Sequence, residues 1–161
     1  MQRWAEPRVT DDVDLTLLAG FGDEERFVDD LLTSLRPREP AGREFALRHR
    51  VLLAQSREGI PLDIALGALS FEAATVRRAR DEELLPGLRL RVCTAEDLIV
   101  FKAFAGRALD WRDVEMTIAR QGENALDWSY IEESLRPLVE LKETPETMLQ
   151  LETLRRSLRE L

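Results

Sequence analysis

Residues 12–18 read Asp12-Val13-Asp14-Leu15-Thr16-Leu17-Leu18. Apolar residues at 13, 15 and 17 alternate with polar ones at 12, 14 and 16, which is a strand period of two. Successive strand side chains point to opposite faces. Val13, Leu15 and Leu17 are therefore expected against a core, with Asp12 and Asp14 side by side on the other face. Ala19-Gly20-Phe21-Gly22 breaks the strand, and Asp23 to Leu35 follows as a helix with Phe27, Leu31, Leu32 and Leu35 on one face. Arg36-Pro37-Arg38-Glu39-Pro40 ends it. A short helix is expected over 42–48. Val51-Leu52-Leu53-Ala54 is a short apolar strand, Ser56-Arg57-Glu58-Gly59 a hairpin turn, and Pro61 to Leu66 the return strand. A helix near 70–80 ends in Arg77-Arg78-Ala79-Arg80, and Leu88-Arg89-Leu90-Arg91-Val92 alternates as a further strand.

From Thr94 the pattern is helical. Thr94 is a good N-cap, with Glu96 and Asp97 in the first turn of a helix reaching about Gly106. Asp110 begins a second helix. Trp128 to Lys142 is a third, with Pro137 as a kink or restart. Thr144-Pro145 opens the last, with Leu151, Leu154, Leu158 and Leu161 along one stripe. The fold expectation is α/β: a small mixed sheet flanked by helices over 1–92, and a helical C-terminal part of the same domain over 93–161.

Composition narrows the function. At 161 residues the chain is expected to be one domain, and 44% hydrophobic with 34% charged residues is a globular balance rather than a disordered one. The net charge of −8 argues against coating a long stretch of nucleic acid, which needs basic surface, and does not exclude a small acidic site that holds metal ions. Cys93 is the single cysteine and His49 the single histidine, which excludes an intrachain disulfide and a Cys/His zinc site. No apolar run approaches the roughly 18 residues of a membrane span. No charged-then-apolar leader opens the chain, so a cytoplasmic location is expected.

Asp12 and Asp14 repel each other unless a cation lies between them, and such oxygen ligands suit Mg²⁺ or Mn²⁺. Asp63 sits between Leu62 and Ile64 on another strand, so it faces away from the core. If the two strands are neighbours, three carboxylates converge on one face, a set that can hold two divalent ions for in-line phosphoryl or nucleotidyl displacement. The alternative is a pair of solvated strand faces. Lys102 lies inside an apolar stripe and either snorkels outward or neutralises phosphate. Asp113 either favours a helix dipole or belongs to a site. Arg107 either binds phosphate or neutralises nearby acids. Arg36, Arg38, Arg43, Arg48, Arg50, Arg77, Arg78 and Arg80 form solvated faces or guide an RNA end. His49 reads as a surface or strand-start residue, and Cys93 as a small buried one or an activated thiol at a helix start. Trp111, Trp128 and the late leucines read as core, the leucines also as a face for a partner helix.

Arg8-Val9-Thr10-Asp11-Asp12-Val13-Asp14-Leu15 resembles the metal-binding segment of the polymerase-β-like nucleotidyltransferase superfamily, in its branch of minimal nucleotidyltransferases and AbiEii-type toxins. Asp63 in Leu62-Asp63-Ile64 matches the later third acid. Thr94-Ala95-Glu96-Asp97-Leu98-Ile99-Val100-Phe101-Lys102, with Gly106-Arg107, Asp110 and Asp113, is similar to the branch's downstream helices. The likeness covers about 8–120. It implies an enzyme that moves a nucleoside monophosphate from an NTP to a hydroxyl of a protein or tRNA, in a toxin–antitoxin setting. Asp12, Asp14 and Asp63 would be its catalytic and Mg²⁺- or Mn²⁺-binding residues, and Thr10, Lys102 and Arg107 would contact the nucleotide. Its partners would be NTP, the acceptor and a toxin or antitoxin, with no membrane and with oligomers allowed. The branch carries Gly-Gly or Gly-Ser about ten residues before the acid pair, and the sequence reaches Met1 without it. The expectation is thus a core whose glycine-turn helix is missing. Its alternative is a catalytically inactive, nucleotidyltransferase-like subunit that binds proteins.

Overall fold

The computed structural model describes residues 3–5 and 12–159, which divide between two compact units, one within 9–77 and the other from 78 onward together with 3–5. Both α and β elements are present, as expected for a small α/β fold. No helix among the described residues is long and apolar enough to cross a membrane.

The first unit runs β1 (Val13–Leu18), α1 (Glu24–Leu32), β2 (Arg36–Pro37), α2 (Gly42–His49), β3 (Val51–Gln55), β4 (Pro61–Gly67) and α3 (Ser70–Arg78), whose last residue opens the second unit. The sheet order is β1-β4-β3-β2. β3 and β4 form the expected antiparallel hairpin, closed by the Ser56 N–H donating to the Ile60 carbonyl at 2.9 Å. β1 pairs parallel with β4, Asp14 opposite Asp63 and Leu17 opposite Leu66. A parallel neighbour requires a long crossover, and here the whole segment from α1 to β3 supplies it.

One sheet face carries Leu52, Ala54, Ile64 and Leu66, all buried, and Val28 of α1 and Ala46 of α2 pack into the same cluster. Burying each large aliphatic side chain contributes about 1.5–3 kcal/mol. Val13 and Leu15 do not join it. They remain 41% and 45% exposed, against the expectation from alternation. β1 is an edge strand, and the cluster reaches it only at Leu17 and Ala19. Period two assigns a face, but the covering helices decide which part of that face is buried.

The second unit runs β5 (Arg80–Leu85), β6 (Leu88–Val92), α4 (Ala95–Ala105), α5 (Ala108–Gln121), a 3-10 turn (Glu123–Ala125), α6 (Trp128–Lys142) and α7 (Glu146–Arg159). α4 is apolar nearly all round and packs on both α5 and α6, burying Leu98, Ile99, Val100 and Ala103. α6 passes through Pro137 as one helix. Trp128 is core as expected; Arg155 stacks 4.2 Å from its ring and pairs with Glu123 and Glu132. The strand over 80–85 was not anticipated. Its charged Arg80-Asp81-Glu82-Glu83 run carries no apolar alternation, and pairing with β6 alone makes it a strand.

Arg50 is no solvated-face residue. It ends α2 in the left-handed region at φ 56°, and its guanidinium reaches three other segments. It donates to the Leu66 carbonyl at 2.7 and 3.1 Å and to the Gly20 carbonyl at 2.7 Å, pairs with Glu24, and lies 4.8 Å from the Phe21 ring. These bonds satisfy carbonyls at the ends of β1 and β4. Arg50→Ala should therefore cost about 1–3 kcal/mol, the range for charge-assisted bonds to groups left unpaired, whereas an ordinary surface arginine costs under about 0.5 kcal/mol. Urea unfolding of the two proteins measures the difference.

Candidate metal centre of the first unit

The face opposite the apolar cluster carries the acids. Because Asp14 stands opposite Asp63 in a parallel ladder, their side chains leave the sheet on the same side from strands about 4.8 Å apart. Asp12, two residues before Asp14, points the same way. One oxygen from each of Asp12, Asp14 and Asp63 lies within 4.8 Å of the others. Asp12 and Asp14 are exposed and Asp63 half-buried. In water two unit charges at this spacing repel by about 1 kcal/mol per pair, so the cluster favours a counter-charge.

The donor set fits a hard divalent cation. Oxygens around one Mg²⁺ lie at about 2.0–2.1 Å from it, so two of them stand at most about 4.2 Å apart. Cis ligands stand about 2.9 Å apart, so side-chain adjustment of up to about 2 Å brings the three carboxylates onto one ion. Carboxylates alone, without thiolate or imidazole, suit hard ions such as Mg²⁺, Mn²⁺ and Ca²⁺.

Asp63 also has a partner that its sequence surroundings do not announce. Arg38 donates from its guanidinium to Asp63 Oδ1. Arg38 is 25 residues away, in a Pro-rich stretch whose only visible meaning is the end of a helix. Only the placement of β2 beside β3 brings it across.

Lys102 and Arg107 belong to the second unit. Lys102 Nζ lies 3.2 Å from Asp110 Oδ1 and 3.3 Å from Asp113 Oδ2, and both acids are buried. The lysine therefore neither snorkels into solvent nor stands without a counter-charge. Asp110 also accepts from the Arg107 N–H at 3.2 Å, closing the first turn of α5, while Arg107 itself is exposed. Asp113 is thus an ion-pair residue rather than a helix-dipole one. Thr10 lies outside the described residues.

The second unit holds another buried acid. Asp97 caps α4 with Thr94, accepts the Tyr130 hydroxyl at 2.5 Å, and lies 3.7 Å from Arg78. Burial, then this bond to Asp97, pushes the Tyr130 phenol up to about 12. Burial, aided by the Asp97 charge, pushes the Cys93 thiol up to about 11, so the thiol is inert rather than activated.

The Lys102 triplet can be tested directly. Lys102→Met leaves Asp110 and Asp113 buried without their cation, which should cost about 3–5 kcal/mol. Denaturant unfolding checks this. An unchanged midpoint would mean that other groups neutralise the two acids.

No protein-family model matches the chain, and no curated protein matches its sequence.

Proposed function

We propose that the protein is a metal-dependent nucleotidyltransferase that moves a nucleoside monophosphate from an NTP to a hydroxyl of a protein or tRNA acceptor. The observation that carries this reading is the gathering of Asp12, Asp14 and Asp63 on one sheet face by the β1–β4 register. The resemblance of 8–120 to the minimal nucleotidyltransferase branch supplies the reaction class. The setting we propose is a toxin–antitoxin pair in the cytoplasm.

Nucleotidyl transfer asks a protein mainly for positioning and charge stabilisation. Asp12, Asp14 and Asp63 would hold Mg²⁺ or Mn²⁺. The bound ion supplies neutralisation of phosphate charge and alignment of the triphosphate. In the reaction the acceptor hydroxyl oxygen bonds to the α-phosphorus as the bond to the β-phosphate oxygen breaks, and pyrophosphate leaves. The hydroxyl proton passes to the Asp63 carboxylate. Carboxylates on two hydrogen-bonded strands are rigidly spaced, which suits a reaction that depends on geometry. The resemblance assigns Thr10, Lys102 and Arg107 to the nucleotide; Lys102 is committed to Asp110 and Asp113, so we give the phosphate role to none of these residues.

The alternative, an inactive nucleotidyltransferase-like subunit that binds proteins, draws on the pairing of Asp63 with Arg38. That bond gives the third acid a structural use.

Two measurements test the proposal. Mg²⁺ or Mn²⁺ should raise the melting temperature through linkage, and Asp14→Asn should reduce the rise. Equal shifts in both proteins would place the ions elsewhere. Incubation with each labelled NTP, Mg²⁺, total tRNA and neighbouring-gene proteins should transfer label, and Asp63→Asn should abolish transfer. Metal binding without transfer to any acceptor would leave the binding-subunit reading.

A further inference from the structure

Arg38 reaches Asp63 by backbone design. Pro37 stands opposite Ala54, and the Arg38 N–H donates to the Leu53 carbonyl at 2.9 Å, which continues that pairing by one residue. Leu53 stands opposite Asp63, and Asp63 opposite Asp14. Arg38, Leu53, Asp63 and Asp14 therefore form one row across all four strands, and the guanidinium crosses Leu53 to meet the acid. The short β2 is wedged in place. A Cβ on Gly42 would lie 2.4 Å from Pro37 Cβ, so the first residue of α2 must be glycine for the helix to close on this strand.

The pair that results is exchangeable. Arg38 and Asp63 each keep 31% of their side-chain surface exposed. Ion pairs this wet contribute little and open readily, whereas a buried pair resists separation. A guanidinium and a divalent cation would compete for the same carboxylate.

We infer that Arg38 is the resident counter-ion of Asp63 and exchanges there with a divalent cation. In the metal-free protein it offsets the Asp63 charge. On loading it gives up Asp63 to the ion. This inference rests on the metal-site reading above but not on the identity of the reaction.

The experiment is Mn²⁺ titration of the full chain, reading free Mn²⁺ by its paramagnetic resonance signal. Arg38→Gln should bind Mn²⁺ about fivefold more tightly than wild type, the gain from removing a competing exposed ion pair. Arg38→Lys, which keeps the competing charge, should stay near wild type. Arg48→Gln removes the same charge from the exposed side of α2 and should change nothing. In an Asp63→Asn background, Arg38→Gln should have no further effect. Without metal, Arg38→Gln should melt lower than wild type, and Mn²⁺ should raise its melting temperature by more. Equal Mn²⁺ affinities in wild type and Arg38→Gln, or weaker binding in Arg38→Gln, would overturn the exchange and leave the metal site standing. Absence of Mn²⁺ binding in every variant would overturn both. A tighter Arg38→Gln with no nucleotidyl transfer in any assay would support the exchange while removing the nucleotidyltransferase reading.

Discussion

The parallel pairing of β1 with β4 is the constraint from which the first unit follows. It sets Asp14 against Asp63 and, through the two-residue pleat, brings Asp12 to the same place. A shift of that register by one residue would send Asp14 or Asp63 to the apolar face, where an uncompensated carboxylate is costly. The same pairing aligns Leu17 with Leu66 at the apolar cluster. One ladder thus positions the acids and anchors the edge strand.

Charge is handled differently in the two units. In the first, Asp12 and Asp14 are exposed, Asp63 is half-buried, and the Arg38 guanidinium that pairs with Asp63 is itself part-exposed. In the second, Lys102 lies between buried Asp110 and Asp113, and Asp97 is buried against Tyr130 and close to Arg78. Desolvation makes each buried group dependent on its partner, so these contacts brace the helices. The functional weight we place on the exposed triad and the structural weight on the buried triplets follow from that difference in hydration.

Much of the architecture is legible in the residues. The alternation at 12–18, the hairpin turn at 56–59 and the Thr94 cap lead directly to observed elements, because each signal acts within a few residues of its effect. The strand at 80–85 was not legible, since its charged run becomes a strand only through its partner. The partners of Lys102 were not legible either. Asp110 and Asp113 lie eight and eleven residues on, across a helix break, and the spacing alone equally suits capping.

By itself the sequence determined which side chains share a strand face and that three acids lie on two strands with apolar neighbours. Those facts follow from backbone periodicity, which any strand obeys. Only the tertiary structure decided that the strands are adjacent and that Arg38 closes on Asp63. It also decided that Val13 and Leu15 stay exposed despite facing the core side. Each of these depends on which elements pack together across long sequence separations, and no local pattern encodes that choice.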